Sequence, residues 1–199
     1  MENNCGTLAA GINLNCTYLA QGGVEPNILL IKKTEWDLAV TASTITFDVT
    51  TANLITAIVL TTGDQGYYFE GYPMQVKPII TGVKRASGYR YKQSIDFVID
   101  GSLAANEKIL RDMGDERYVV IYINSWSNTG GTGKYKVLGV KSGLKRPEGG
   151  AELDKYNDID GMWVVKLASE DHALESVAEY TYYTTSEAVT DAAFLALQS

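Results

Sequence analysis

The stretch from Tyr89 to Asp100 carries the clearest alternation in the chain. Tyr89, Tyr91, Ile95, Phe97 and Ile99 fall on one face, and Arg90, Lys92, Ser94, Asp96 and Asp100 on the other. Successive side chains of a strand point to opposite faces, so this period of two predicts a half-buried antiparallel strand. Directly after it, Gly101-Ser102 opens a helix. Ser102 suits an N-cap, Leu103, Leu110 and Met113 recur at helical spacing, Ile109 widens the stripe, and Gly114 stands where a terminating glycine belongs. Glu107 and Arg111 are spaced for an i,i+4 pair. Tyr118 to Ile123 (YVVIYI) then runs apolar on both faces, which predicts a central strand.

The rest of the chain is expected to add mainly strands to this strand–helix–strand unit. Asn27 to Ile31 reads as a short apolar strand after the turn Gln21-Gly22-Gly23. Thr41 to Thr62 holds eight threonines among Ile45, Phe47, Val49, Ile55, Ile58, Val59 and Leu60, a β-branched richness that favours two strands broken near Thr51-Ala52-Asn53. Tyr67 to Gly71, Gln75 to Val83, Lys134 to Val140 and Gly161 to Ala168 read as further strands. The end is open to two elements, a last strand in Val177 to Thr184 and a short helix in Glu187 to Leu197 with Val189, Phe194 and Leu197 on one side. Many strands with one central helix predict a mainly β chain of α+β class, a β-sandwich or barrel flanked by the helix. Ser142 to Asp160 is polar and glycine-rich, and a loop of that length inside a domain usually contacts another molecule.

At 199 residues, with 45% hydrophobic and 21% charged residues, the chain has the balance of a soluble globular protein. Residues 1–199 are expected to form a single domain, with an N-terminal arm about 1–26, a long loop about 142–160 and a C-terminal extension about 178–199. Disorder, collagen, coiled coil and a disulfide scaffold are excluded by composition, and no run approaches the roughly 18 apolar residues of a membrane span. The opening MENNCGTLAAG has neither the basic start nor the long apolar run of a secretory signal. Cys5 and Cys16 are therefore expected to be reduced cytosolic thiols, although their spacing leaves a bridge open.

Charge is segregated along the sequence. Met1 to Pro147 carries 15 basic and 13 acidic residues, whereas Glu148 to the end carries 2 basic and 11 acidic, within an overall net charge of −7. Gly71 to Ile95 contains Lys77, Lys84, Arg85, Arg90 and Lys92 with no acid, and Arg117 to Pro147 contains Arg117, Lys134, Lys136, Lys141, Lys145 and Arg146 with none. Like charges on one surface repel, so a monomer gains little from this. A self-assembling protein can set the acidic patch of one copy against the basic patch of the next, and chance clustering on solvated loops is the plainer alternative. The pI of 4.8 lacks the basic footprint of a nucleic-acid reader.

Motifs for chemistry are nearly lacking. Gly130-Gly131-Thr132-Gly133-Lys134 has Asn128 and Tyr135 where a phosphate-binding loop needs glycine and Ser or Thr, and a strand pattern follows it, so a hairpin loop is expected. Asp154 to Gly161 (DKYNDIDG) places Tyr156 and Leu167 at the first and twelfth positions of a calcium-loop frame, which favours an acidic surface loop. The single histidine, His172, follows Glu170-Asp171 in a polar stretch without a recognised nucleophile, and an exposed loop position is expected. No pair among the 24 acids stands out for glycoside hydrolysis. The 13 tyrosines could form a sugar-stacking platform but on alternating strand positions read as core or interface. The chain is expected to be no enzyme and to need neither cofactor nor metal.

The N-terminal residues carry a resemblance. The spacing Cys5, Gly11-Ile12-x-Leu14-x-Cys16, followed by Gly22-Gly23 and the strand Asn27 to Ile31, resembles the N-terminus of virion structural proteins of tailed bacteriophages infecting Bacteroidetes, commonly taken to be tail tube (major tail) proteins. The strand–helix–strand pattern from Tyr89 to Ile123 and the glycines Gly139 and Gly143 are compatible with it. The resemblance implies a tail-tube-like β-sandwich or barrel flanked by a helix, in subunits that form rings, usually hexameric, stacked around a lumen through which DNA passes as non-specific cargo. It implies a homo-oligomer meeting other tail proteins, located in the virion tail and assembled in the bacterial host cytoplasm, without catalytic residues and away from membranes. An acidic lumen would let DNA slide, so Glu152, Asp154 and Asp158 are candidate lumen or inter-subunit contacts, set against Lys134, Lys136, Lys141, Lys145 and Arg146. The alternatives are another ring-forming virion part, such as a tail terminator, a head–tail connector or the inner tube of an injection machine, and a monomeric carbohydrate-binding β-sandwich.

Overall fold

The computed structural model describes residues 23–61, 65–70, 76–86, 88–99, 104–125, 131–154 and 162–198. In chain order the first elements are β1 (Val24–Lys32), α1 (Lys33–Thr41), β2 (Ile45–Phe47), β3 (Leu54–Ile58), β4 (Tyr67–Phe69), β5 (Lys77–Arg85) and β6 (Gly88–Ile99). Then come α2 (Ala104–Asp112), β7 (Arg117–Asn124), β8 (Tyr135–Leu138), β9 (Leu144–Lys145), β10 (Ala151–Asp154), β11 (Met162–Ala168), β12 (Tyr180–Tyr182) and α3 (Glu187–Ala196).

The chain is mostly β-sheet with few helices, as its patterning predicts. The strands form one mixed, open sheet whose main path runs β2-β3-β12-β8-β7-β9-β11-β6-β5, with β1 and β4 on the other edge of β7 and β10 beside β11. All pairings are antiparallel except β12 with β3. The YVVIYI run does become a central strand, paired on one edge with β1 (Leu29 opposite Ile121, Leu30 opposite Val120) and on the other with β8 and β9.

Two cores lie on the two faces of β1 and β7. Leu29, Ile31, Val119 and Ile121 point into the first, where Trp36 of α1, Ile55 of β3, Tyr180 and Tyr182 of β12, and Phe194 of α3 cover them. Ile28, Leu30, Val120 and Tyr122 point into the second, against Ile95 and Phe97 of β6, Val165 and Leu167 of β11, Leu110 of α2 and Met113 just after it. A run apolar on both faces needs cover on both, and burying each such side chain contributes about 1.5–3 kcal/mol.

The fold departs from the sequence expectations in five places. The expected central helix is joined by α3, in the stretch open to a C-terminal helix, and by α1, which is not expected. Over α1, Trp36 and Ala39 stand three apart and are both fully buried. Its first turn has no side-chain cap, and an ion pair from Lys33 to Asp37 together with the Thr41 hydroxyl donating to the Asp37 carbonyl (2.8 Å) supports it instead. The segment read as a loop over 142–160 holds β9 and β10, because Leu144 reaches the second core and is fully buried. The C-terminal extension expected about 178–199 is built into the sheet, since β12 lies between β3 and β8 and α3 covers the first core. In α3, Phe194 and Leu197 are buried as expected, but Val189 is half-exposed and Thr190 takes the inward position. The Glu107–Arg111 pair is not formed, both side chains being exposed. Ser102, Leu103, Cys5, Cys16 and most of the N-terminal arm lie outside the described residues.

Candidate assembly surface

The sheet forks at β7. Val120 to Ile123 pair with β8, while Arg117 and Tyr118 pair with β9, so one branch continues into β12 and the other into β11. The turn between the branches begins and ends on glycines with positive φ, Gly139 (+74°) and Gly143 (+71°), joined by a 2.9 Å hydrogen bond. At Gly139 a Cβ would lie 2.9 Å from the Tyr118 carbonyl oxygen, so only glycine fits against β7 there.

A fork leaves backbone groups without ladder partners, and buried ones must be satisfied. Gln93, fully buried on β6, accepts from the Gly139 N–H (2.7 Å) and donates to the Ala178 carbonyl (2.7 Å). Glu175, also fully buried, accepts from the N–H groups of Lys141 and Ser142 (both 2.9 Å), and its own backbone bridges to Tyr91. The sequence reading passed over both residues. Gln93 had a signal, a polar side chain in register between Tyr91 and Ile95 on the apolar face, whereas Glu175 has none because its partners lie more than thirty residues away.

The basic and acidic segments meet within one chain. Arg117 pairs with Glu170 (2.6 Å), Lys92 with Asp171 (2.6 Å), Lys136 with Glu179 (2.9 Å), and Lys134 with Asp191 (2.8 Å) and Glu187 (3.3 Å). Tyr122 and Tyr135 donate to Glu179 and Asp191, both at 2.7 Å. Burial pushes the Asp191 carboxyl up, but the hydrogen bonds from Lys134 and Tyr135 outweigh it and hold the group below the usual carboxylate range. Burial likewise opposes the charge on Lys134, and its two acidic partners prevail and raise it. These contacts fasten α3 to the start of β8, where Gly131 leaves no room for a Cβ against Glu187.

The other candidate residues are placed differently. Arg146 donates to the carbonyl of Leu110 and so caps the last turn of α2, where a cation suits the helix end. Lys141 is exposed and anchored by its backbone to Glu175, and Lys145 lies at the junction of two clefts. Glu152 and Asp154 stand on β10 opposite Val164 and Met162, and Asp158 lies outside the described residues. The glycine-rich stretch is a turn leading into β8, a strand, so its backbone cannot serve as the phosphate cradle at a helix start. The acidic DKYNDIDG segment lies outside the described residues beyond its first position, and His172 is exposed beside Glu170. Among the described residues no group of three His, Cys, Asp or Glu is placed to hold a metal ion, and no helix is long and apolar enough to cross a membrane.

No protein-family model matches this chain, and neither does any curated protein or solved structure. Its surfaces therefore have to speak for themselves. The feature that stands out is the end of the sheet. β5 pairs along its whole length with β6, from Lys77 opposite Asp96 to Arg85 opposite Gly88, and with no other strand among the described residues. Among the described residues nothing pairs with its outer edge, which presents backbone donors and acceptors apart from the donor that Pro78 lacks. Tyr89 at the tip of this hairpin is 61% exposed.

Proposed function

We propose that the protein is a self-assembling virion structural protein whose stacked rings form the tail tube of a phage and guide genome passage. The observation that carries this reading is the nine-residue strand β5, an open end of the sheet with an exposed tyrosine and basic residues at its tip. Monomeric proteins usually blunt or cover such an edge, and a protein built to join copies of itself uses it. The N-terminal resemblance to tail tube proteins supports the same reading, as do the two cores flanking β1 and β7, which suit a tail-tube-like sandwich. The subunit would act in the virion tail after assembly in the bacterial host cytoplasm, with other copies and other tail proteins as partners and DNA as passing cargo. The acids available to a lumen are then those that the chain does not use internally, with Glu152, Asp154 and Asp158 still candidates. Negative-stain electron microscopy with size-exclusion light scattering over a range of concentrations tests the reading. Rings or hollow tubes are expected, and a monomer under every condition overturns it.

One observation favours a second reading, a carbohydrate-binding module. The indole N–H of Trp163 is buried without an acceptor among the described residues, and Trp163 is one of the residues lining a cleft of about 770 Å³ with Glu107, Lys145, Arg146 and Glu148. A buried N–H calls for an acceptor, and a sugar hydroxyl can supply one. Quenching or a shift of tryptophan fluorescence on titration with oligosaccharides would support it, and an unchanged spectrum would remove it.

A further inference from the structure

The chain carries an exposed basic–aromatic pair and, elsewhere, a cavity lined by aromatic and acidic residues. The first is the outer face of the β5–β6 hairpin, where Lys84 stands directly across from Tyr89 and both are exposed. Arg85 and Lys92 are tied to Asp171, which leaves Lys84 without an ion-pair partner among the described residues. The second is a cavity of about 290 Å³ between β4 and α2, lined by Tyr67, Phe69, Ile109, Asp112, Glu116 and Tyr118. Its rim exposes apolar surface at Tyr67 (41%) and Ile109 (36%).

Charge in the cavity is unbalanced. Arg146 is taken up by the Leu110 carbonyl at the end of α2, and the charged residues lining the cavity are Asp112 and Glu116 against Lys32 alone. Burial pushes the Tyr118 hydroxyl up to about 12, with Glu116 adding to the effect, and Asp112 and Glu116 line the same cavity as Tyr118. The resident cation, Lys32, lies over the Tyr67 ring at 5.7 Å and is shared with Glu35 at 3.9 Å. Apolar walls, an aromatic rim and surplus negative charge together fit an aromatic ring carried beside an ammonium group.

We propose that Tyr89 and Lys84 of one copy seat in this cavity of the next copy, the ring against Tyr67 and Ile109 and the ammonium against Asp112 and Glu116. Among the described residues nothing joins the two surfaces within one chain, since the outer half of the hairpin lies against residues 171–175 and the cavity opens between β4 and α2. The contact uses two different patches of the same molecule and is therefore heterologous, the kind that closes into rings or runs on as a filament. It rests on the self-assembly reading and names the surfaces that carry it.

The test uses the full chain at concentrations where the wild type assembles. Lys84→Glu, Tyr89→Ser and Glu116→Lys are each expected to weaken association about tenfold or more, as the loss of a central anchor does. Lys84→Glu combined with Glu116→Lys in one chain is expected to restore it. A photoreactive benzoylphenylalanine in place of Tyr89 is expected to cross-link to the peptide holding Tyr67 or Ile109. If the wild type assembles while all three single variants assemble like it and the cross-links fall elsewhere, the contact is overturned and the assembly reading stands. If the wild type stays monomeric throughout, both are overturned together.

Discussion

β7 and the outer half of the β5–β6 hairpin both carry β-branched and aromatic residues, yet they occupy opposite extremes of the molecule. β7 is bonded on both edges and covered on both faces, with Val119, Val120 and Ile121 fully buried. The outer hairpin is bonded on one edge alone, and Thr81, Gly82, Lys84, Arg85 and Tyr89 are exposed. β6 passes from one condition to the other at Gln93, the first buried residue along it. The difference shows that strand propensity alone does not place a strand inside. β7 has apolar residues on both faces and is drawn into two cores, while the hairpin interleaves Lys84, Arg85, Arg90 and Lys92 and stays in water.

This comparison can be broken in graded steps. Removing residues 178–199 deletes β12 and α3 and uncovers the first core beneath β7, so circular dichroism is expected to show no folded protein; the loss exceeds the 5–15 kcal/mol that usually holds a domain together. Ile121→Ala opens a cavity in the same core and is expected to cost about 2–5 kcal/mol in denaturant unfolding. Gln93→Leu keeps the volume but orphans the Gly139 N–H and the Ala178 carbonyl, an expected loss of about 1–3 kcal/mol on the same measurement.

Smaller effects sharpen the contrast. Asp191 is held below its unfolded value, so its contribution is present above about pH 4 and is lost as pH falls through the lower folded value. Asp191→Asn is expected to lower stability slightly at pH 6, by less than about 1 kcal/mol since the side chain is 36% exposed, and to flatten the acid limb of a Tm–pH profile. At the far end of the scale, Tyr89→Ser is expected to change monomer stability by less than about 0.5 kcal/mol. A larger change would mean that the outer hairpin is part of the folded core after all.

The candidate assembly surface was only half legible beforehand. The basic stretches could be read directly, and the two-faced run Tyr118 to Ile123 announced the central strand. Which cations remain free could not be read, because Lys134 and Lys136 find acids about fifty residues away and Arg146 is taken up by the end of α2. The Lys84–Tyr89 pair rests on hairpin register, and the cavity that suits it is assembled from β1, β4, α2 and β7.

Periodicity belongs to neighbouring residues, and for that reason the sequence by itself determined the strand character of β1, β3, β5, β6, β7, β8 and β11 and the amphipathic face of α2. It determined the β-rich class through the same local preferences. Only the tertiary structure decided that β7 forks between β8 and β9, that the C-terminal strand enters the sheet beside β3, that Trp36 pulls a helix onto the first core, and that the segregated charges neutralise one another within the chain. Those outcomes depend on which distant segments come into contact, and burial and Coulomb attraction act on distance in space without regard to distance along the chain.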